Sequence, residues 1–164
     1  MFREMRRIRQ KLSEEETNDI LIRETSGVLA LLGDNDYPYA VPLSYVYSDG
    51  KLYFHSAKTG HKIDAIAKHP KASFCIISQD KVVPEKYTSY FKSVIVFGKI
   101  RMISSEDELC RAIELLALKY NPADSEESRA EAIEREIPRM SMFVLEAENI
   151  TGKKAIELVT QENN

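Results

Sequence analysis

Two cysteines, three histidines and six glycines in 164 residues remove several common chemistries at once. Cys75 and Cys110 stand alone, so neither a disulfide framework nor a Cys-x-x-Cys redox pair is present, and both read as core thiols. His55, His61 and His69 lack His-x3-His spacing, and no His-Glu-x-x-His or Cys-x-x-Cys accompanies them, which argues against a zinc site. A solvated or hydrogen-bonded role is the alternative for each. There is no Gly-x-Ser-x-Gly elbow for a serine hydrolase. At Gly60-His61-Lys62 the lysine is preceded by His61 and followed by Ile63, where a Walker A loop needs a Gly-Lys pair and then Ser or Thr, which argues against an ATPase of that type. No apolar run approaches the ~20 residues of a membrane span, and no apolar signal core follows the basic start, so a cytoplasmic protein is expected. The formal net charge of −3 argues against a nucleic-acid binder. The basic cluster Arg3, Arg6, Arg7, Arg9 and Lys11 is local, and five acidic residues between Glu4 and Asp19 offset it.

The length suits one domain over 1–164, with its own hydrophobic core. Ser13-Glu-Glu-Glu16 spells a capping box and closes an N-terminal helical segment, 1–24, with a short helix. Ser26 to Leu32 and Tyr39 to Tyr47 read as antiparallel strands around the turn Gly33-Asp-Asn-Asp36; Pro42 places the second at an edge or bulge. Ser48-Asp49-Gly50 turns into a strand with Leu52 and Phe54 on one face and Tyr53 and His55 on the other. Lys71 to Ser78 follows as a strand, Gln79 to Thr88 as a polar loop, and Ser93 to Ile103 as a long strand. In that strand Gly98 suggests a bulge or a close backbone approach. A second capping box, Ser105-Glu-Asp-Glu108, opens a helical insertion over 105–137. Its first helix shows one apolar face, Leu109, Ala112, Ile113, Leu116 and Tyr120; a second helix runs from about Ser125 to Glu136. A last strand from Met140 to Glu146, a turn at Asn149 to Lys154 and a short strand from Ala155 to Val159 complete the chain. Successive short strands bounded by turns suggest a barrel, giving a mainly β fold with flanking helices.

The stretch from Lys51 to Pro70 organises the rest. Its period-2 strand gives way to helical spacing at Ile63, Ile66 and Ala67, and Pro70 ends the helix and pushes His69 toward extended geometry. Ser56, Thr59, Gly60, His61 and Lys62 sit at the junction. Hydroxyls, a small residue, a cation and free helix N–H groups are what a phosphate needs. The plain alternative is a strand–helix turn with a solvated lysine. That lysine would sit at the positive end of the helix dipole, which an anion nearby would explain.

Three strings, in order, resemble the pyridoxamine 5′-phosphate oxidase-like flavin-binding split barrels, and most of all their nitroimidazole-resistance-related branch. They are Pro38-Tyr-Ala-Val-Pro-Leu-Ser-Tyr45, Asp49-Gly-Lys-Leu-Tyr-Phe-His-Ser-Ala57 running on to Gly60-His-Lys62, and Tyr90-Phe-Lys-Ser-Val-Ile-Val-Phe-Gly98. The resemblance implies a split β-barrel and a homodimer with flavin sites at the subunit interface. It also implies FMN, with FAD as the other possibility, and a small-molecule electron acceptor. By the same resemblance the backbone of Val41, Pro42, Leu43 and Ser44 lies along the flavin ring. His55, Ser56, His61 and Lys62 hold the phosphate, with Lys92 and Ser93 contributing to the same site. His55, turned away from Leu52 and Phe54, is the candidate catalytic residue, an imidazole being a side chain that can both donate and take up a proton. The chain has no tryptophan and ends in Thr151-Gly-Lys-Lys154 and a short tail in place of the Arg-Leu-x-Pro signature of the oxidase proper. The expected function is therefore a flavin-dependent reductase, nitroaromatic compounds being candidate acceptors, in place of vitamin B6 oxidation. A flavin binder without turnover is one alternative. The other is a haem-binding or haem-degrading split barrel with His55 or His61 as axial ligand.

Overall fold

The computed structural model describes residues 1–162. Ser13 Oγ accepts from the Glu16 N–H and the Glu16 carboxylate accepts from the Ser13 N–H, both at 3.0 Å, so the first capping box forms and starts α1 (Glu14–Arg23). β1 (Ser26–Leu32) pairs along its whole length with β2 (Pro38–Ser44). A hairpin of β3 (Val46–Ser48) and β4 (Lys51–Ser56) follows, then α2 (His61–Lys68). β5 (Lys71–Val83) and β6 (Thr88–Met102) form a long hairpin. Next come α3 (Glu106–Tyr120), α4 (Glu126–Glu136), β7 (Ser141–Lys154) and α5 (Ile156–Glu162).

The strands make one antiparallel sheet in the order β2-β1-β5-β6-β7-β4-β3. Its two edge strands, β2 and β3, are separated in the chain by Tyr45 alone, so the sheet has to curl until its edges meet. The core records that closure. Phe54 on β4 packs edge-on against Phe74 on β5 at 5.1 Å although β6 and β7 lie between their strands in the sheet. Tyr45 is fully buried against Phe74 at 5.0 Å. A buried phenol needs partners for its hydroxyl and for the main chain beside it. Its Oη donates to the Leu21 carbonyl at 2.9 Å, and the Tyr120 hydroxyl accepts from the Tyr45 N–H at 3.1 Å. The link between the edges is thereby tied to both α1 and α3.

Several expectations change. The polar segment Gln79 to Thr88 is not a loop: residues Gln79 to Val83 ladder with Thr88 to Lys92, leaving only Pro84–Lys86 and Tyr87 as the turn. This arm is largely solvated, so it lacks the apolar alternation that marks a half-buried strand. β7 runs past Glu146 to Lys154, because the expected turn at Asn149 to Lys154 pairs with Lys92 to Phe97. The segment expected as a short strand after Ala155 is α5. The run Tyr39 to Tyr47 is two strands broken at Tyr45. Neither cysteine is in the core: Cys110 is exposed on α3, and Cys75 is half-buried, pointing outward between inward-facing Phe74 and Ile76. The second capping box is half formed, Ser105 accepting from the Glu108 N–H while the Glu108 carboxylate is taken by Arg101 at 2.9 Å.

Other readings hold. Pro42 lies on an edge strand. His69 is extended at φ −136°, ψ 110°. Gly98 marks a register shift between β6 and β7, and a Cβ there would stand 2.0 Å from the Glu146 carbonyl oxygen.

Candidate functional site

The barrel is open where β4 outruns its neighbour. β3 covers only Lys51 to Tyr53, so Phe54, His55 and Ser56 have β7 on one side and no strand on the other. β2, across that gap, also has a free edge. The seam between them forms a cleft of about 440 Å³, lined by Tyr39 and Leu43 from β2, His55 and Ser56 from β4, and Thr59 to Ile63 at the start of α2.

The start of α2 is shaped by Gly60. At φ 127°, ψ 170° it occupies backbone space that side-chain-bearing residues avoid, although a Cβ there would meet nothing within 4 Å. The constraint is on the chain path, not on room. Glycine also has no side chain to cap the helix, so the first N–H groups of α2 have no side-chain acceptor from that position. Lys62 follows in the first turn. It is half-buried, its Nζ stands 5.8 Å from the centre of the Phe143 ring, and burial pushes its ammonium below the usual lysine range. Among the described residues no carboxylate lies within ion-pair distance of it. An ammonium drawn from water beside uncapped N–H groups is a site that a bound phosphate dianion would complete.

The structure brings five of the ten sequence-predicted residues together at the seam, Leu43, His55, Ser56, His61 and Lys62. Val41 and Leu43 pack inward on the core, while Pro42 and Ser44 are exposed on the outer face of β2. His55, Ser56, His61 and Lys62 line the seam. The ring of His61 stacks on Tyr39 at 4.2 Å and its Nε2 accepts from the Asp34 N–H at 3.4 Å, which gives the ring a structural role there. Lys92 and Ser93 lie elsewhere in the chain. Ser56 pairs with Ser141 at one end of β7, whereas Lys92 pairs with Lys154 at the other, roughly 40 Å along the strand at 3.3 Å per residue. They could reach the seam only from a second copy. In its own chain Lys92 Nζ stands 3.7 Å from the Glu16 carboxylate.

His55 has a second neighbourhood. On the face it shares with Tyr53, Tyr53 itself is buried with Val144 and Met142 under Ala112, Ile113 and Leu116 of α3. Where that cover ends, at exposed His55, a hollow of about 390 Å³ opens between β7 and the α3–α4 hairpin. The apolar face of α3 is legible in the sequence but this hollow is not, its walls coming from β2, β4, α3, α4 and β7. Tyr39 was also missed, although its alternation with Val41 and Leu43 is visible.

A curled antiparallel sheet with an open, cationic seam beside a helix start defines a split-barrel protein. The family model described as pyridoxamine 5′-phosphate oxidase matches residues 13–154, and the chain belongs to that family. An uncharacterised protein of Rhizobium meliloti (strain 1021) is 28% identical over 151 residues, covering 88% of this chain and 93% of that one. Solved structures share the fold as well. A candidate 5-nitroimidazole antibiotic resistance protein from Bacteroides thetaiotaomicron VPI-5482 superposes with a TM-score of 0.75 at 18% identity, covering 88% of this chain and 86% of that one. An FAD-binding protein from Mesorhizobium loti gives a TM-score of 0.64 at 24% identity, covering 89% and 97%.

Proposed function

We propose that this protein is a flavin-dependent oxidoreductase that binds FMN in the seam and reduces small acceptors, nitroaromatic compounds among them. The observation that carries the reading is Lys62, a cation partly withdrawn from water, without a carboxylate, in the first turn of a helix whose cap is glycine. The residues present fit the cofactor. Lys62 and the hydroxyls of Ser56 and Thr59 would hold the phosphate, and the free edge of β2 from Val41 to Ser44 would offer main-chain groups to the ring. An FAD-binding protein of the same fold makes FAD the competing cofactor.

A bound flavin supplies hydride or electron-pair transfer at its N5. What the chain contributes is position and protons. A nitro group reduced by two electrons takes up two protons and releases water. His55, exposed where seam and hollow meet, is placed to donate one of them.

The active unit in this reading is a homodimer. Lys92 and Ser93 join the seam only from a second copy, and an outward row supports such a face. Pro42, Val28, Cys75 and Ile95 stand side by side across β2, β1, β5 and β6, with Val28 and Ile95 each 38% exposed. Pairing that row with a second copy would cover it.

Titration of the purified protein with FMN and with FAD tests the reading. Quenching that saturates at one FMN per chain, followed by reduced-nicotinamide-dependent reduction of a nitroaromatic compound, is the expected result. FMN fluorescence unchanged by the protein refutes the cofactor, and binding without turnover refutes the enzyme. A flavin-loaded monomer in sedimentation refutes the shared site. If His55→Gln lowers flavin affinity but keeps the rate at which a nitroaromatic reoxidises the flavin, His55 is a cofactor ligand and not the proton donor.

A further inference from the structure

The hollow beneath the α3–α4 hairpin is as unlike the seam as two neighbouring cavities can be. Its inner wall is Ile113 and Leu116 from α3 with Met140 and Met142 from the approach to β7 and its start, and its outer wall includes Ala132 and Ile133 from α4. At about 390 Å³ it falls in the size range of small-molecule sites. Among the described residues His55 is the one that lines both cavities. In the sheet it stands directly opposite Met142, so the apolar wall begins beside its ring.

The charges lie on the hairpin side. Arg129 donates to the Asp124 main-chain carbonyl at 3.3 Å, and Glu136 is paired with Arg135 at 3.2 Å, while Ile113, Leu116 and Met142 offer no charged partner. A charged head group pressed against that inner wall would lose its water for nothing in return. The two thioethers there suit an aromatic ring, because sulfur packs favourably at ring edges and Met adapts to irregular shapes.

From this we infer that the hollow is the acceptor site and that it takes a neutral, apolar aromatic molecule, inserted between α3, α4 and β7 with its reducible end toward His55. The inference rests on the flavin reading for its redox meaning, but the pocket itself can be tested without the cofactor.

The full-length, flavin-free protein is titrated with N-phenyl-1-naphthylamine, a neutral probe that brightens in apolar surroundings, and with 1-anilinonaphthalene-8-sulfonate, which carries the same rings plus a sulfonate. The neutral probe should bind one per chain, at least tenfold tighter than the sulfonate. Ile133→Trp, which fills the hollow from α4, and Ala117→Phe, which fills it from α3, should each weaken it at least tenfold with an unchanged circular dichroism spectrum. Ile22→Lys, on the exposed face of α1, should not. Equal affinity for the two probes overturns the neutral-ligand assignment. Insensitivity to both filling variants, or loss through Ile22→Lys, overturns the site. Adding FMN to the probe-loaded protein should then quench the probe by energy transfer to the adjacent flavin. Probe binding that obeys the variants without quenching leaves the hollow a ligand site but removes it from the flavin, which refutes the acceptor assignment. Absence of FMN binding in the same titration refutes the cofactor reading instead.

Discussion

The two ends of β7 each hold a lysine drawn out of water, and the fold treats them in opposite ways. At the far end Lys154 is only 6% exposed, and its Nζ is 3.0 Å from the Glu16 carboxylate, which also accepts from Ser13 and stands 3.7 Å from Lys92. At the Ser141 end Lys62 is less buried, lies over Phe143, and has no carboxylate within ion-pair distance among the described residues. Burial of a charge is tolerated when it is paired. The far end therefore reads as structure closed by its own chain, and the near end as a site whose counter-charge comes from outside.

The comparison is broken most directly by removing each lysine in turn. Lys62→Ala should weaken FMN binding by about 2–4 kcal/mol, the usual cost of truncating one partner of a desolvated charge pair, and should leave the melting temperature of the flavin-free protein the same or higher. Isothermal titration and a thermal melt of the same preparation check both halves. Unchanged affinity would make Lys62 an ordinary solvated residue and erase the contrast.

Lys154→Ala should do the reverse, lowering stability by about 2–3 kcal/mol in denaturant unfolding. A fully buried pair would cost more when broken, but Glu16 is a third exposed and can recover water. A double-mutant cycle with Glu16→Gln should show coupling between the two sites. Independent effects would mean that the far end is not closed by that pair.

How much of this was visible in the sequence follows the same division. The seam's chemistry was legible because it is local: Ser56, Thr59, Gly60 and Lys62 are consecutive or nearly so, and a strand-to-helix switch brings them together whatever the rest does. Pro42 and Gly98 were legible because each imposes a backbone rule. The far end was not. Asn149 to Lys154 contains a glycine and two lysines and reads as a turn, yet it is held as a strand by its ladder with Lys92 to Phe97 and by Gly152 lying against Thr17 and Leu12. Partners that distant leave no trace in a local pattern. The same holds for Tyr45, whose role as the link between sheet edges appears only once the strand order is known. It also holds for the hollow beside His55, whose walls are assembled from segments far apart in the chain.

Gly60→Ala sharpens the near end further. An alanine at φ 127° is strained, so the substitution should cost about 1–2 kcal/mol, taken partly as lost stability and partly as a redirected first turn of α2. Both the melt and the FMN titration should register it. A loss confined to stability would show that the path of the turn matters to the fold but not to the anion.

The smallest expected effect is a pH dependence, and its sign separates the two lysines. Burial holds the ammonium of Lys62 below the ordinary lysine range in the flavin-free fold. In the window between that lowered value and the ordinary one, the unfolded chain binds more proton at this site than the folded chain does. Stability of the flavin-free protein therefore rises with pH across the window, as the penalty on the charged form is relieved. Binding of an anion runs the other way. It needs the ammonium protonated, so FMN affinity falls as pH rises through the same range, and at lower pH than an ordinary lysine would give. Lys62→Met should flatten the alkaline limb of the affinity profile, while Lys154→Met leaves it in place. A profile that Lys154→Met flattens and Lys62→Met does not would assign the anion to the wrong end of β7.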